Sequence, residues 1–241
     1  MKFLITLFLI LSFSQSYAQS NINVLVYSRT TDYRHPAIES GLKAFNSLAS
    51  EKGFNITSTE EAEMFTPENL KNFTAVVFLN TSGVILDENQ KKAFQDYILN
   101  GGGFVGVHAA SFTELDWPWF GELVGRFFKG HPKVQEAIIK VVDNKHPATS
   151  HLPQKWTWTE EWIDFHPLNS KNLQVVLKVD EDTYEGGGMG EDHPIAWYQK
   201  IGKGRSFYTG LGHTDESYSD TNFLQHLYGA IYWASTGKNK M

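Results

Sequence analysis

Apolar residues follow two different spacings along this chain, and the two spacings alternate. Asn23–Tyr27 (NVLVY) is typical of a strand, and the continuous apolar run Phe73–Leu79 (FTAVVFL) is typical of a central strand covered on both faces. Between them, Pro36–Lys52 carries apolar residues every three or four positions, which indicates one face of a helix. Further strands are indicated at 54–58 and 104–107. The alternation of strands and helices predicts an α/β fold with a doubly wound parallel sheet.

The second half of the chain is richer in strands than the first. A helix from about Asp220 to Ser235 closes the chain, and the glycine loop Gly186–Gly190 separates two of the strands. No linker or internal repeat divides the sequence, so we expect residues 19–241 to form one domain. The strands predicted in this half are 134–142, 156–163, 173–179, 195–198 and 205–209.

The first 18 residues have the pattern of a secretory signal peptide. Lys2 supplies a positive charge, Phe3–Phe13 is almost wholly apolar, and Ser16 and Ala18 are the small residues of a cleavage site. The apolar run is too short to span a bilayer, and no later segment is long and apolar enough to do so. We therefore expect an exported protein, periplasmic or secreted, from which residues 1–18 are removed. An uncleaved anchor is the alternative.

The amino-acid composition of the chain excludes several classes of function. Cysteine is absent, which excludes disulfides, thiolate metal ligands and a cysteine nucleophile. The net charge of −6 is spread along the chain without a basic stripe, so nucleic acid is not an expected partner. Aromatic residues make up 14% of the chain, enough to supply stacking surfaces for sugars as well as a hydrophobic core, and both interpretations stay open.

Two predicted strands end in a histidine flanked by small residues. Gly101–Ala110 (GGGFVGVHAA) has the form of a nucleophile elbow, a sharp strand-to-helix turn that presents one side chain to a cleft. The presented residue is His108, and the positive end of a helix would disfavour its cation and leave a neutral base or ligand. The other strand ends at His213, followed by Asp215, a carboxylate suited to fixing the imidazole tautomer. Ligands bind beyond the carboxyl ends of parallel strands, so we expect one pocket, with His108, His213 and Asp215 as its catalytic residues.

Two other segments add candidates for substrate binding. After the first strand come Arg34, which could meet an anion, and His35, which could face the cleft. A later segment carries Glu160 and Glu161, and because neighbouring residues of a strand face opposite sides, we expect Glu161 alone to face the site. Trp162 follows as an aromatic surface for the same substrate.

Four further histidines each precede a proline, which is more typical of rigid turns than of ligands. They are His131, His146, His166 and His193. The sequence carries no G-x-S-x-G, P-loop or H-E-x-x-H motif, so serine hydrolase, nucleotide-binding and zincin functions lack local support.

Taken in order along the chain, five motifs make it similar to one known family. The chain resembles the trehalose-utilisation (ThuA-like) family, a branch of the class I glutamine amidotransferase-like superfamily, over nearly all of residues 19–241. The motifs are Tyr33–Pro36, Gly102–Ala110, Glu160–Trp162, His193–Trp197 and Gly202–His213.

The resemblance implies a flavodoxin-like three-layer sandwich with a β-rich second half, and it places the pocket at the elbow. Amidotransferase relatives carry a catalytic cysteine at the elbow, and here His108 stands in its place. An imidazole cannot form the thioester of glutamine hydrolysis, so the chain is not expected to be a glutamine amidotransferase. The family resemblance points instead to trehalose and related disaccharides, through keto-sugar intermediates.

The favoured hypothesis is an exported carbohydrate-processing enzyme that acts on a disaccharide, a glycoside or its keto-sugar derivative. His108 and His213 would serve as an acid–base pair, or they would join His35 as ligands of a divalent metal ion. The alternative from another class is a non-catalytic sugar-binding module on the same fold. The expected partner is a small carbohydrate, and the sequence leaves an oligomer open.

Overall fold

A computed structural model of the protein describes residues 22–167, 170 and 172–241, and the predicted signal peptide lies outside them. Within this range the chain forms eleven strands and five α-helices, with short 3₁₀ turns between them. The strands are β1 (Asn23–Tyr27), β2 (Asn55–Thr59), β3 (Ala75–Leu79), β4 (Gly103–Val107), β5 (Phe128–Gly130), β6 (Gln135–Val141), β7 (Lys155–Glu160), β8 (Asp164–Phe165), β9 (Gln174–Asp180), β10 (Pro194–Ile201) and β11 (Gly204–Thr209). The helices are α1 (Ile38–Lys52), α2 (Pro67–Leu70), α3 (Glu88–Leu99), α4 (Pro118–Val124) and α5 (Thr221–Thr236).

Nine of these strands form one sheet in the order β2-β1-β3-β4-β11-β10-β9-β6-β7. The first five are parallel to one another, and every later pair is antiparallel. The parallel half confirms the α/β fold expected from the alternating spacings, and the antiparallel half accounts for the strand-rich second part of the sequence. The last strand of the chain, β11, lies in the middle of the sheet between β4 and β10.

Alternating residues of each parallel strand pack into two cores, one on each face of the sheet. In β1, Val24 and Val26 face the core that contains α1 and α5, whereas Leu25 and Tyr27 face the core that contains α3 and α4. All five residues of β3 are fully buried, as the apolar run in the sequence predicts. The result is a three-layer arrangement with helices on both faces of the sheet.

The structure differs from the sequence prediction around residue 160. The predicted strand 156–163 ends at Glu160, because the buried Glu160 carboxylate accepts a hydrogen bond from the next backbone N–H, that of Glu161, at 3.0 Å. That N–H is no longer available to a neighbouring strand. The chain then turns into β8, which pairs with β5 in a separate two-stranded ribbon.

The ribbon and α4 were not predicted, because elements of two, three and seven residues are too short to show a periodic pattern. None of the helices in the described part of the chain is long and apolar enough to cross a membrane.

Candidate functional site

The elbow after β4 holds His108 in a strained backbone conformation. His108 has a φ of 49°, which is uncommon for a residue other than glycine, and its side chain is 1% exposed. Such strain persists where the surrounding structure holds the residue in place, and it is concentrated at functional sites. The turn that follows, His108–Phe112, is a 3₁₀ helix rather than the predicted α-helix.

Two hydrogen bonds fix the orientation and the tautomer of His108. Its Nδ1 lies 2.8 Å from the carbonyl oxygen of Gly210, and because a carbonyl can only accept, Nδ1 carries the proton. The Tyr208 hydroxyl donates to the His108 carbonyl oxygen at 2.7 Å. In the neutral ring Nε2 therefore keeps its lone pair, and it lies 3.1 Å from Nδ1 of His213.

The structure brings His35, His108 and His213 together from three different loops. The ring centroids are 4.9 Å apart for His35 and His108, 5.3 Å for His35 and His213, and 5.0 Å for His108 and His213. His35 is buried, and its Nδ1 has no hydrogen-bond partner within the described residues. A buried ring nitrogen without a partner is costly, and it is a position where a ligand would complete the site.

The adjacent residues Glu160 and Glu161 point to different places, as the strand geometry predicts. Glu161 lines the cavity, with Oε2 at 3.4 Å from Nε2 of His108 and at 3.6 Å from Nδ1 of His213. Glu160 is buried behind the site and accepts the backbone N–H of Gly212 at 2.7 Å and that of His213 at 3.2 Å. Glu160 thus holds the loop that carries His213, and Glu161 faces the cavity.

These side chains form one wall of a cavity of about 400 Å³ at the carboxyl edge of the sheet. The rest of the lining is apolar and aromatic apart from His131, so the cavity offers hydrocarbon as well as polar groups. The exposed Tyr33 ring lies at its rim, edge-on to His35 with 4.8 Å between the ring centroids. The apolar side is lined by Tyr33, Ala109, Phe112, Phe128 and Ile163.

The pKa values of these groups shift in opposite directions. Burial, with the nearby His108 and His213, lowers the pKa of His35 to about 3. Burial also lowers the pKa of His213, assisted by the charge of His108. Burial alone would lower the pKa of His108, but the hydrogen bond to Glu161 and the charge of Glu160 raise it above its usual value. The two carboxylates beside the ring, which no local pattern indicated, therefore act against the helix effect that the sequence predicted for His108.

The donor atoms are arranged as they would be around a metal ion. One ligand atom from each of His35, His108, Glu161 and His213 lies within 4.8 Å of the other three. Three imidazoles and a carboxylate suit zinc and related divalent ions. The carbonyl that accepts from Nδ1 of His108 is the kind of outer partner that orients a ligating histidine. The residues present therefore fit a divalent cation.

Three residues predicted for the pocket lie elsewhere. Asp215 is exposed at the start of a 3₁₀ turn, and the carboxylate beside His213 is that of Glu161. Arg34 forms ion pairs with Glu39 and Glu60 at 3.2 and 2.8 Å, since it follows the first strand on the solvent side of the loop.

The third of these residues, Trp162, is 1% exposed and donates from Nε1 to the carbonyl oxygen of Gln135 at 2.9 Å. The bend after Glu160 turns its indole into the core, where it packs against Tyr184 with 5.9 Å between ring centroids. The prediction that Trp162 binds substrate is therefore wrong.

The sequence analysis missed His131, which it assigned to a rigid turn. The His131 ring lines the cavity, and its Nδ1 lies 3.2 Å from Oε1 of Glu161. A signal was present, because His131 directly follows β5 as His108 directly follows β4. The strand is only three residues long, and its partner strand β8 follows 34 residues later, so the sequence did not reveal where it lies.

His193, which like His131 precedes a proline, belongs to a separate cluster of hydrogen-bonded residues. Its Nε2 lies 2.8 Å from the carbonyl oxygen of Ile163, and its Nδ1 lies 2.7 Å from Oε1 of Glu181. The Glu181 carboxylate also accepts the backbone N–H groups of Met189 and Gly190. This cluster closes the glycine loop, with both ring nitrogens of His193 already paired.

Comparisons with solved structures agree with this architecture. The chain is similar to a ThuA-like protein from Bacteroides uniformis, with 27% identity, a TM-score of 0.77, and coverage of 92% of this chain and 95% of that one. A ThuA-like protein from Parabacteroides merdae is 21% identical, with a TM-score of 0.75 over 90% and 91% of the two chains. A GMP synthase subunit from Thermoplasma acidophilum is 11% identical, with a TM-score of 0.55 over 90% and 95%, and it shares the fold.

Among curated proteins, a sequence search finds no match to this chain. A family model described as "ThuA: Trehalose utilisation" matches residues 23–234, which is nearly the whole of the described structure. That description supports a carbohydrate-related role and agrees with the resemblance found in the motifs. The chain belongs to the ThuA family, on a fold of the class I glutamine amidotransferase type.

Proposed function

We propose that this protein is a carbohydrate-processing enzyme that acts on a disaccharide, a glycoside or its keto-sugar derivative. The observation that carries the proposal is the convergence of three imidazoles and the Glu161 carboxylate on one wall of a cavity. Titratable groups gathered in a cleft with shifted pKa values are typical of sites that move protons or bind metal ions. The family description supplies the substrate class.

The polar and apolar groups that line the cavity together suit a sugar ring. Sugars present hydroxyl groups around the ring and C–H groups on its faces. Phe112 and Phe128 offer aromatic surface to the C–H groups, while the histidines and Glu161 offer hydrogen-bonding atoms to the hydroxyl or ketone oxygens. A volume of about 400 Å³ lies within the range of small-molecule sites.

His35, His108, His213 and Glu161 would hold a divalent cation in this site. When bound, such an ion polarises a carbonyl oxygen and stabilises negative charge that develops on it. The protein's own contribution is orientation: the Gly210 carbonyl fixes the His108 ring, and the Glu160 carboxylate fixes the loop of His213. Charge stabilisation at a sugar ketone makes the neighbouring C–H group acidic enough for a nearby base.

The test combines metal analysis with turnover. Protein purified without chelator is expected to contain zinc or a related divalent ion, and to convert a keto-disaccharide such as 3-keto-trehalose. The variants His108→Ala and His213→Ala should lose the ion and lower turnover by about 10²-fold or more, since each removes a group from the reacting centre. His166→Ala, at an exposed histidine outside the cavity, is the matched control.

Undiminished turnover in both site variants would contradict the proposal. A sugar-binding module would instead bind keto-disaccharide, measured by calorimetry, without converting it at any protein concentration.

We also propose that the protein is exported, on the basis of the signal-peptide pattern at residues 1–18. Expression of the full chain followed by periplasmic extraction should yield a protein whose amino-terminal residue is Gln19. A cytoplasmic protein that retains Met1 would contradict this.

A further inference from the structure

We propose that His131 is the base that removes a proton from the substrate in this pocket, which it shares with the cluster of His35, His108 and His213. This inference rests on the proposed function and adds to it a catalytic residue that neither the motifs nor the family description indicates. Four observations carry it: the position of the ring, its tautomer, its access to water, and the carboxylate that it shares with the cluster.

The position of His131 places it at the substrate. The residue follows β5, and its ring lines the cavity beside Phe128, with 5.9 Å between the two ring centroids. It reaches the cavity from the β5–β8 ribbon, whereas the other three imidazoles come from loops of the central sheet. A sugar bound in the cavity would therefore meet an imidazole from the ribbon as well as those from the central sheet.

The tautomer of His131 follows from its hydrogen bonds. Nδ1 lies 2.8 Å from the carbonyl oxygen of Pro132 and 3.2 Å from Oε1 of Glu161. Neither oxygen has a proton to give while Glu161 is ionised, so Nδ1 carries the proton and donates it. Nε2 then keeps a lone pair, and within the described residues no hydrogen bond to it is formed. An imidazole whose Nδ1 donates to a fixed oxygen while Nε2 keeps its lone pair is the arrangement of a general base.

Access to water distinguishes His131 from the other three imidazoles. The His131 side chain is 39% exposed, compared with 21% for His213 and 1% for His108. His35 is also buried, at 7%. Exchange of an abstracted proton with solvent requires a base that reaches water, and among the cavity histidines His131 is the most exposed. The lone pairs of the cluster, by contrast, face one another and suit a shared ion.

Glu161 connects the two sides of the site through its two oxygens. Oε2 faces His108 and His213, and Oε1 faces His131. Oε1 lies on the Nδ1 side of the His131 ring, so Nε2 is left for the substrate. One carboxylate therefore serves the cluster and the base at once.

The proton step balances without any further reagent. The C–H bond next to the substrate ketone breaks, the proton moves to Nε2 of His131, and the electron pair stays on the substrate as an enolate. The enolate oxygen lies toward the histidine cluster. The proton then returns from His131 to the carbon, which regenerates the ketone. Alternatively, it moves to the glycosidic oxygen as the bond between that oxygen and the sugar breaks. Either transfer restores the neutral imidazole.

The test uses exchange of that proton with solvent, measured by NMR as incorporation of deuterium from D₂O next to the ketone of a keto-disaccharide. His131→Asn is the informative variant, because the asparagine amide can still donate to Glu161 from the position of Nδ1 but has no basic nitrogen. His166→Asn is its control, since His166 is also exposed and also precedes a proline. We expect His131→Asn to lower exchange by about 10²-fold or more, with part of the loss restored by added imidazole, and His166→Asn to exchange like the wild type.

Two further measurements distinguish a catalytic base from a metal ligand. The metal content and melting temperature of His131→Asn should equal those of the wild type, and loss of the ion would show that His131 is a ligand and overturn the proposal. Exchange at the wild-type rate in His131→Asn would also overturn it, while leaving the proposed function intact. A wild-type protein that neither exchanges the proton nor converts any keto-disaccharide would overturn the proposed function itself, and this inference with it.

Discussion

At the scale of single residues, the histidines of this protein differ mainly in what surrounds them. His108 is as buried as any core residue, yet the carboxylates of Glu160 and Glu161 raise its pKa. His146 and His226 lie in the core without such a partner, and burial lowers the pKa of each to about 3. The same side chain therefore has a raised pKa beside two carboxylates and a lowered pKa in the hydrophobic core.

The neutral core histidines make stability depend on pH. A histidine whose folded pKa lies near 3 stays neutral in the fold but is protonated in the unfolded chain below its ordinary pKa of about 6.5. The neutral ring therefore contributes its full stabilisation of the fold above about pH 6.5. That stabilisation is lost as the pH falls from about 6.5 toward 3. For His226 we expect the free energy of unfolding to fall by about 2 kcal/mol between pH 7 and pH 5.

Urea denaturation of the wild type and of His226→Asn at pH 7 and at pH 5 measures this change in the free energy of unfolding. The asparagine amide can keep the hydrogen bond to the Ala148 carbonyl, so the variant should lose less stability on acidification than the wild type. His166→Asn, at an exposed position, should behave like the wild type. An identical loss in His226→Asn and wild type would contradict the expectation.

Residue-scale prediction from sequence worked where strand ends determined the side-chain position. His108 and His213 follow neighbouring central strands, β4 and β11, so their proximity follows from sheet geometry. Asp215 and Trp162 were assigned by nearness in sequence to a site residue, and nearness in sequence does not determine where a side chain points. The bend after Glu160, which turns Trp162 inward, depends on a buried carboxylate whose partners lie more than fifty positions away.

At the scale of elements, buried side chains join the loops at the edge of the sheet to the helices behind them. Glu114 is 1% exposed and has a φ of 49°, and its Oε1 accepts the backbone N–H groups of Ile85 and Leu86 at 2.8 and 2.9 Å. Its Oε2 lies 3.1 Å from Nζ of Lys91 in α3. The loop after β3, the loop after β4 and α3 are thereby fixed to one carboxylate.

Removal of Lys91 should destabilise the protein far more than removal of its neighbour. Lys91→Met leaves the buried Glu114 carboxylate without its cation, and we expect a loss of about 2 kcal/mol in the free energy of unfolding. Lys92 pairs with Asp96 at the surface, where its side chain is 75% exposed, so Lys92→Met should cost less than about 1 kcal/mol. Chemical denaturation measures the free energy of unfolding of the two variants. Equal losses in the two would show that the contact between Lys91 and Glu114 does not stabilise the fold.

Element-scale prediction succeeded for long, periodic segments and failed for short ones. The strands of the parallel half and the helices α1, α3 and α5 follow from apolar spacing alone. The β5–β8 ribbon, which brings His131 to the cavity, has three residues on one side and two on the other. Its pairing is a long-range contact that no local pattern records, and this part of the pocket lining was missed for that reason.

At the scale of the whole molecule, the two halves of the sequence share one sheet. β4 from the first half pairs with β11 from the second along five residues, and α5, the last helix, packs against β4. The two cores lie on opposite faces of this sheet. Each of the two cores contains residues from both halves of the chain.

We therefore expect a single cooperative unfolding transition. Five of the seven tryptophans lie at residue 156 or later, so their fluorescence reports mainly on the second half of the sequence, whereas far-UV circular dichroism reports on both halves. The two signals should give the same midpoint and slope in urea, because loss of β11 also exposes β4. Two separated transitions would show that the halves unfold independently.

The position of β11 also bears on how the protein is made. A growing chain that ends before Gly204 has β4 at an unpaired edge and β10 without its neighbour, so the middle of the sheet is open. All five residues of β4 are buried in the finished protein, and exposed apolar edges of this kind pair with other chains. The ribosome must therefore release nearly the whole sequence before the pocket can form, and chains cut short near the carboxyl terminus should aggregate rather than retain partial activity.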